Sequence, residues 1–252
     1  VALCPFHNEK SPSFNVNPQR QIYHCFGCHA GGDVFKFLQE YEHLDFVEAV
    51  QRLAERAGIV YEFEENSQAG YTRRLKDQML HVHAELAKRW HRMLMDEPVG
   101  QVARKYLKSR GITRGTAEAF QLGYAPESWE DTVNWALEHK FDNQLMEESG
   151  LIASKEGKRY GRFRDRLMFP VNDEQGRVIG FSGRVLDSEV KTAKYVNSPE
   201  TVLFRKSRVF YGLDKARRAI LSAKSVLICE GQLDAIALHM AGQKNVVAPQ
   251  GT

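Results

Sequence analysis

The sequence predicts an α+β fold made of three successive parts: a small hairpin module followed by helices, a mixed α/β segment, and a βαβ unit near the C-terminal end. Three observations predict this order. Two Cys/His pairs flank a strand–turn–strand pattern within residues 1–28. Helical and strand-like hydrophobic periods alternate from 75 to 221. Two short apolar runs then enclose a helical pattern between 225 and 248.

Composition is ordinary for a soluble globular protein. The chain has 252 residues, 42% hydrophobic and 27% charged, which is enough to bury real cores without a disulfide framework. No apolar run approaches the 18 or so residues of a membrane span. The composition therefore argues against a transmembrane protein.

Positive charge is concentrated in one segment of the chain. The net charge is only +3, but residues 151–218 contain 16 basic and 8 acidic side chains. A basic segment of this kind is typical of proteins with a polyanionic partner such as nucleic acid. A solvated, lysine-rich surface is the alternative interpretation.

The first part contains a pattern typical of a metal site. Cys4 and His7 form a C-x2-H pair, and Cys25 and Cys28 form a C-x2-C pair. Two such pairs on tight turns, brought together by a hairpin with its turn at Asn17-Pro18, suit one tetrahedral Zn²⁺ ion. Because all four positions are filled by protein, we expect a structural zinc, one per chain. Thiolate ligands also favour a reducing, cytoplasmic compartment.

Two other interpretations of the cysteines are weaker. If the cysteines formed disulfides, one of the three clustered cysteines would have no partner, because Cys229 lies far away in an apolar run. Free core cysteines would not explain the paired spacing. His24 and His29 flank the second pair, but neither fits the two-residue spacing. Four aromatic residues lie near these pairs in the sequence, namely Phe6, Phe14, Tyr23 and Phe26. We expect most of them to form the small core of the hairpin module with its metal site, which we call the ribbon.

Two helices are predicted to follow the ribbon. Gly31-Gly32-Asp33 opens a helical pattern, and Asp45 with Glu48 resembles a capping box that starts a second helix. Gly58 suits the residue after its end. We assign residues 1–61 to this domain and residues 62–74, which are polar and lack periodicity, to a linker.

The segment 75–221 is predicted to be a mixed α/β domain. Helices are expected at about 75–95, 102–110 and 129–139, and a hairpin of two strands at 167–171 and 177–186. Arginines stand at the hairpin ends, and 194–201 is a loop rich in hydrogen-bond donors. Guanidinium and ammonium groups in this arrangement suit phosphate.

The last part, 222–252, is predicted to be a βαβ unit. The run 225–229 reads as a buried parallel strand, 232–241 as a helix and 245–248 as a second strand. Ligands bind at the carboxyl ends of such strands, where Glu230 and Asp234 lie one helical turn apart. Two carboxylates there suit Mg²⁺, although Asp234 would also be favourable simply as an acid in the first helical turn.

Five motifs in this order resemble bacterial DNA primases of the DnaG type over nearly the whole chain. Cys4-Pro5-Phe6-His7 with His24-Cys25-Phe26-Gly27-Cys28 looks like the CHC2 zinc ribbon, and Glu230-Gly231-Gln232-Leu233-Asp234 looks like the first Toprim motif. The basic segment supplies the other three: residues 162–166 with 169–170, residues 180–184, and residues 194–201 with 211–213.

The resemblance implies a fold and an activity. The fold would be an N-terminal zinc ribbon, a mixed α/β polymerase subdomain and the start of a Toprim domain. The activity would be DNA-templated synthesis of short RNA primers by nucleotidyl transfer. Glu230 would serve in metal binding (Mg²⁺ or Mn²⁺) or acid/base work, and Asp234 as a second acid. A basic ridge would handle nucleotide and template, comprising Arg162, Arg164, Arg184, Lys194, Tyr195 and Asn197.

The resemblance also implies partners: a single-stranded DNA template, nucleoside triphosphates and the RNA primer. A replicative helicase would bind through a C-terminal region absent here. The implied location is the bacterial cytoplasm at the nucleoid, with no membrane partner. The Toprim Asp-x-Asp cluster would follow Thr252, so we expect this fragment alone to lack part of its active site. The alternatives are a non-catalytic zinc-ribbon module that binds single-stranded DNA, and another Toprim enzyme such as a topoisomerase or nuclease, whose Toprim units lack this basic lead-in.

Overall fold

The chain divides into two compact units, Val1–Glu65 and Asn66–Thr252. The computed structural model describes residues 1–59, 68–186 and 193–250. Residues 62–67 of the predicted linker therefore lie outside the described residues. None of the helices within the described ranges is both long and apolar enough to cross a membrane.

The first unit is a three-stranded sheet followed by two helices. Strands β1 (Phe14–Asn17), β2 (Ile22–Cys25) and β3 (Gly31–Asp33) are antiparallel and adjacent in that order. Phe14 pairs with Cys25 across β1 and β2, so the hairpin returns the chain to the second metal-ligand pair. The predicted strand–turn–strand pattern is confirmed. The helices are α1 (Val34–Tyr41) and α2 (Phe46–Ala57).

Both helices of the first unit begin where the sequence predicts. The Asp33 carboxylate accepts a hydrogen bond from the Lys36 amide at 2.8 Å and caps α1. Asp45 and Glu48 form a reciprocal capping box at the start of α2, with both hydrogen bonds at 2.8 Å. Gly58 ends α2 with φ +66°, a left-handed conformation that glycine adopts without a steric penalty.

The second unit mixes helices and strands. Its elements are α3 (Gln68–Met95), α4 (Gln101–Ser109), α5 (Arg114–Ala119), β4 (Gly123–Ala125), α6 (Asp131–Glu138), α7 (Asn143–Glu148), β5 (Ile152–Lys155), β6 (Lys158–Gly161), β7 (Arg166–Asn172), β8 (Val178–Val185), β9 (Tyr195–Asn197), β10 (Phe210–Tyr211), α8 (Leu213–Ala223), β11 (Leu227–Ile228), α9 (Gln232–Met240) and β12 (Val246–Pro249). Helix α3 begins at Gln68 rather than near Leu75, inside the predicted linker. The reason is that polar residues such as Gln, Arg and Lys sustain a helix without an apolar period.

The main sheet of the second unit is buried on both faces. Its strands are antiparallel in the order β4-β7-β8-β9. Leu167 and Phe169 of β7 pack into one hydrophobic cluster, and Met168 between them packs into the other. Helix α3 covers the second face, where the Trp90 ring lies 5.0 Å from that of Phe181. Burial on both sides explains why β7 reads as a continuous apolar run instead of an alternating one.

One short strand corrects the prediction for the donor-rich loop 194–201. Residues 195–197 form β9, and Tyr195 pairs with Arg184 across β8 and β9. Backbone hydrogen bonding makes this strand without any apolar alternation, so the pattern of side chains did not reveal it. The pairing places two predicted site residues side by side.

The predicted βαβ unit is present, with one correction. Strand β11 pairs in parallel with β12, and α9 connects them. However, β11 lies at the edge of its sheet, in the order β10-β12-β11, and its side chains are exposed (Ile228 to 63%). The prediction that this run is buried is wrong for the described residues, because an apolar run is covered only where other elements pack on it. Cys229 follows β11 and is half-buried.

Candidate functional sites

The two Cys/His pairs of the first unit converge on one point. The ligand atoms of Cys4, His7, Cys25 and Cys28 all lie within 4.8 Å of one another. Cys4 Sγ is 3.8 Å from Cys28 Sγ, and His7 Nδ1 is 3.7 Å from Cys25 Sγ. Zn–S bonds of about 2.3 Å in a tetrahedron separate two sulfur atoms by about 3.8 Å. The four donors therefore fit a tetrahedral zinc ion in both type and spacing.

The cysteines are thiols and not disulfides in the described residues. All four are free, and the 3.8 Å between two sulfurs of the cluster is well beyond a covalent S–S bond. His24 and His29 are exposed and do not belong to the donor group. The alternative interpretations of the cysteine pattern are thus not supported.

The turns that present the sulfurs also polarise them. The backbone amides of Gly27 and Cys28 donate to Cys25 Sγ at 3.4 and 3.5 Å. Burial raises the pKa of the Cys25 thiol, but hydrogen bonding to the sulfur, including the donations from these two amides, outweighs it and lowers the pKa to about 6. A Cβ atom at Gly27 would lie 2.6 Å from His7 Nε2. Only glycine leaves room for the histidine here.

Most of the aromatic residues around the cluster form the core of the ribbon. Phe14 and Tyr23 are buried and stack with ring centroids 5.3 Å apart, and Phe6 is half-buried against them. Phe26 differs, because it is 68% exposed and lies beside the His24 ring. The expectation of an aromatic core is confirmed for the first three.

Within the second unit, basic and acidic residues from four segments line one cleft of about 460 Å³. The segments are the residues after α4, the end of β8, the start of β9, and the turn into α9 with its first turns. The lining residues are Arg110, Ile112, Arg184, Lys194, Tyr195, Glu230, Gly231, Leu233, Asp234 and Ala237. Three cations and two carboxylates thus share one opening.

Arg184 is held in this cleft by two tyrosines. Its guanidinium donates to the Tyr195 hydroxyl at 3.1 Å, and its Cζ lies 5.5 Å from the Tyr195 ring centroid and 5.2 Å from that of Tyr106 in α4. Burial raises the pKa of Tyr195, so its hydroxyl stays neutral. Arg110 lies over the same Tyr106 ring at 5.3 Å. Both guanidinium groups therefore make a cation–π contact with the Tyr106 ring, which holds them at one opening.

Arg166 fixes the backbone that carries Lys194. It is only 7% exposed, and one of its guanidinium nitrogens donates to the carbonyls of Ala193 at 3.0 Å and Gly183 at 3.3 Å. A Cβ atom at Gly183 would lie 3.0 Å from both Arg166 Cδ and Phe163 Cδ1. The glycine before Arg184 therefore makes room for a buried arginine and a core ring, a reason that the sequence did not reveal.

Glu230 and Asp234 present two exposed carboxylates to the cleft. In the described part of the chain, neither has a hydrogen bond or ion pair. Both follow the carboxyl end of β11, as predicted from the βαβ pattern. Oxygen donors free of protein partners are the type that Mg²⁺ and Mn²⁺ prefer. The donor set therefore fits a divalent cation.

The other predicted site residues lie outside this cleft. Arg162 donates to the Gly150 carbonyl at 2.9 Å. Arg164 lies over the ring of Trp129, 3.7 Å from its centroid, and also donates to the Gly161 carbonyl. Asn197 donates its amide to the Gln250 carbonyl at 2.5 Å. The structure thus brings Arg184, Lys194, Tyr195, Glu230 and Asp234 together, and does not bring these three to the same opening.

Two functional residues were not predicted from the sequence: Arg110, which lines the cleft, and Tyr106, whose ring Arg110 and Arg184 contact. Arg110 was the last residue of the predicted helix 102–110, and Tyr106 looked like an ordinary residue within it. A weak signal was available, because Tyr106 and Arg110 are four apart and share a helix face. Nothing in the sequence linked that face to residues 184 and 230.

Comparison with known proteins follows the same division of the chain. Residues 1–69 match the CHC2 zinc finger family, and residues 90–217 match the family described as the DNA primase catalytic core, N-terminal domain. The chain belongs to the DnaG-type DNA primase family. The zinc-finger match and the converging donors together support a structural zinc in this primase-family chain.

Curated primases are similar over the whole chain. The DNA primase of Geobacillus stearothermophilus is 44% identical over 255 residues, covering 99% of this chain and 42% of the relative. The DNA primase of Escherichia coli strain K12 is 40% identical over 252 residues, covering 100% of this chain and 43% of the relative. The chain thus spans about two fifths of the length of these primases.

Solved primase structures share the fold. The Aquifex aeolicus primase zinc-binding and RNA polymerase domains match with a TM-score of 0.63 and 35% identity, over 99% of this chain and 59% of that one. The RNA polymerase domain of Mycobacterium tuberculosis primase, in complex with a DNA duplex that has an overhang, matches with a TM-score of 0.66 and 33% identity, over 70% and 55%. The predicted fold class of a zinc ribbon followed by a mixed α/β polymerase domain is confirmed.

Proposed function

We propose that this chain supplies the zinc ribbon and the first part of the polymerase core of an enzyme that synthesises short RNA primers on a single-stranded DNA template. One observation carries the proposal: three cations line the same cleft in the second unit as two carboxylates that have no hydrogen-bond or ion-pair partner among the described residues. The match to the primase catalytic core over residues 90–217 supports it and argues against a non-catalytic binding module.

We assign phosphate binding to the cations of the cleft. Arg184, Lys194 and Arg110 would hold the triphosphate of an incoming nucleotide and the nearby template backbone. Tyr106 and Tyr195 would keep Arg184 oriented before the substrate arrives, which reduces the ordering that binding must supply. Guanidinium groups fixed in this way stabilise the negative charge that builds up during phosphoryl transfer.

We assign metal binding to Glu230, with Asp234 as a second acid. A divalent cation bound there, Mg²⁺ or Mn²⁺, would supply charge neutralisation at the phosphates and activation of the attacking oxygen. In the reaction, a 3′-hydroxyl loses its proton to solvent and its oxygen bonds to the α-phosphorus of the nucleoside triphosphate. The bond from that phosphorus to the oxygen that bridges to the β-phosphate breaks, and pyrophosphate leaves with that oxygen. The contribution of this chain's own residues is to orient the two reacting groups and to neutralise the triphosphate.

The remaining predicted residues would act outside the cleft. We propose that Arg162 and Arg164 contact the template backbone along the surface near Trp129, and that Asn197 acts through the segment around Gln250. The first unit, with one zinc per chain, would help to recognise the initiation site. We further propose that the chain divides into four parts, at 1–61, 62–74, 75–221 and 222–252. The proposed partners are nucleoside triphosphates, the RNA primer and a replicative helicase, and the proposed location is the cytoplasm at the nucleoid.

The carboxylate assignment is tested by Glu230→Gln in the full-length natural protein. We expect primer synthesis to fall by at least about 100-fold, because an amide cannot replace a metal-binding carboxylate, while binding to single-stranded DNA stays unchanged. Glu138→Gln, an exposed glutamate on α6, is the matched control. Primer synthesis that survives Glu230→Gln would contradict the catalytic assignment, and a full-length protein that binds DNA but makes no primers would favour the binding module.

The phosphate assignment is tested by Arg184→Ala in the 252-residue chain. Single-strand binding should become less salt-dependent, with the slope of log K against log salt falling by about 0.7 for one lost phosphate contact. Arg208→Ala removes an exposed arginine of the same basic segment that does not line the cleft, and should change the slope less. Equal slopes for the two variants would count against the cleft.

A further inference from the structure

Glu9, which no motif singled out, lies at the centre of the contacts around the zinc ligands. Its carboxylate Oε1 accepts hydrogen bonds from the Cys4 amide at 2.8 Å and from the Ser13 amide at 3.1 Å. Its Oε2 accepts one from the Ser13 hydroxyl and lies 3.3 Å from His7 Nε2. The side chain is only 10% exposed. A nearly buried carboxylate with four such contacts is held in one orientation.

The contact with His7 decides which ring nitrogen carries the proton. His7 Nδ1 faces the sulfur atoms, 3.7 Å from Cys25 Sγ, and Nε2 faces Glu9. A carboxylate only accepts hydrogen bonds, so it favours a proton on Nε2. The lone pair is then left on Nδ1, the atom that points toward the other three ligands. Carboxylates that fix a ligating histidine in this way strengthen metal binding.

Ser13 extends the same contact to the second ligand pair. Its hydroxyl donates to Glu9 Oε2, and its Oγ lies 3.2 Å from Cys25 Sγ. Glu9 therefore touches Cys4 and His7 of the first pair directly and reaches Cys25 of the second pair through one side chain. The two pairs are separated by a whole hairpin, and this small network joins them.

We propose that Glu9 is a positioning residue of the zinc site, which sets the tautomer of His7 and holds the first ligand pair against the second. It is not itself a ligand. The proposal rests on the zinc-ribbon assignment and is independent of primer synthesis. Loss of such outer contacts weakens metal binding by about 10- to 100-fold in other proteins.

Glu9→Gln separates this role from simple packing. A glutamine has the same shape, and its carbonyl oxygen still accepts from the Cys4 and Ser13 amides. Its NH₂ group then faces His7 Nε2 and donates, which favours the opposite tautomer and turns the protonated nitrogen toward the sulfurs. We expect Kd for zinc, measured in the 252-residue chain by competition with a chromophoric chelator, to rise by about 10- to 100-fold. ¹⁵N NMR of the zinc-loaded chain should show the His7 Nε2–H signal of the parent shifted in Glu9→Gln, because its hydrogen bond to the carboxylate is lost.

Two further variants keep the proposal falsifiable. Glu55→Gln changes an exposed glutamate of α2 in the same unit and should leave Kd unchanged. Ser13→Ala leaves the Glu9–His7 contact in place and should weaken zinc binding less than Glu9→Gln does. The proposal is overturned if Glu9→Gln binds zinc within about twofold of the parent with an unchanged His7 Nε2–H signal, or if Ser13→Ala is the more damaging change.

Discussion

The donor cluster of the first unit and the cleft of the second unit are assembled in opposite ways. All four donors of the cluster lie within residues 4–28, on two turns joined by one hairpin. The cleft draws its residues from four segments spread between 110 and 237. When one hairpin builds a site, the spacing of its residues in the sequence predicts the geometry of the site. When several packed elements build a site, its residues are far apart in the sequence and their spacing does not predict that geometry.

The two units also differ in what stabilises them. The buried apolar cluster of the first unit consists of Cys4, Phe14, Tyr23 and Cys25, so half of its members are metal ligands. The second unit has two large clusters on either side of its main sheet. The buried cluster of the first unit is too small to stabilise that unit by itself. We infer that the first unit depends on its metal and that the second unit does not.

The largest expected effect is that of removing the metal. Treatment of the 252-residue chain with a strong chelator should abolish amide protection against hydrogen exchange in β1, β2 and α1, because structural zinc contributes about 10 kcal/mol or more to folding in small zinc domains. Protection in β7 and β8 should stay as before. Retained protection in the first unit would contradict its dependence on metal. Loss of protection in both units would show that the second unit also depends on the metal.

An intermediate effect is expected from pH on the second unit. His83 is fully buried, with its ring nitrogens each 3.2 Å from a carbonyl oxygen, of Val178 and of Ser149. Burial lowers the pKa of His83 from an ordinary 6.5 to about 4, an effect that the two carbonyls only partly offset. The unfolded chain therefore binds a proton below pH 6.5 that the folded chain excludes.

Stability from this histidine is thus fully present above pH 6.5 and is lost as pH falls toward 4. The free energy of unfolding should decrease by about 3 kcal/mol over that range. Denaturant unfolding at several pH values measures it. His83→Gln should be less stable at pH 7 but should show a smaller dependence on pH. The same dependence in both proteins would assign it to other groups.

The smallest effect is expected from the aromatic support of the cleft. Tyr106→Leu removes the ring that both Arg110 and Arg184 contact and should weaken single-strand binding by about fivefold, since an exposed cation–π contact is worth about 1 kcal/mol. Tyr106→Phe keeps the ring and loses only a hydroxyl that has no hydrogen-bond partner in the described residues. Fluorescence anisotropy with a labelled oligonucleotide should therefore place Phe near the parent. If Phe weakens binding as much as Leu does, the ring is not what supports the arginines.

The sequence was sufficient wherever the cause was local. The convergence of the four Cys and His donors, the capping box at Asp45 and Glu48, and the βαβ order of β11, α9 and β12 all depend on neighbouring residues, and the structure contains all three. Strand β9 and the start of α3 were missed because neither has an apolar period. The exposure of β11 and the contribution of Arg110 depend on which elements pack beside them. A single sequence contains no record of that packing.

The contact between Gly183 and Arg166 limits which substitutions these two positions tolerate during evolution. The long arginine side chain passes beside the place where a Cβ atom at 183 would stand, with its Cδ 3.0 Å from that point, and it donates to the Ala193 carbonyl. An alanine at 183 would force Arg166 to shift, and a shorter residue at 166 would release the segment that carries Lys194. Each position therefore makes the other hard to replace alone. We expect positions 166 and 183 to vary together among descendants of this chain, or not at all.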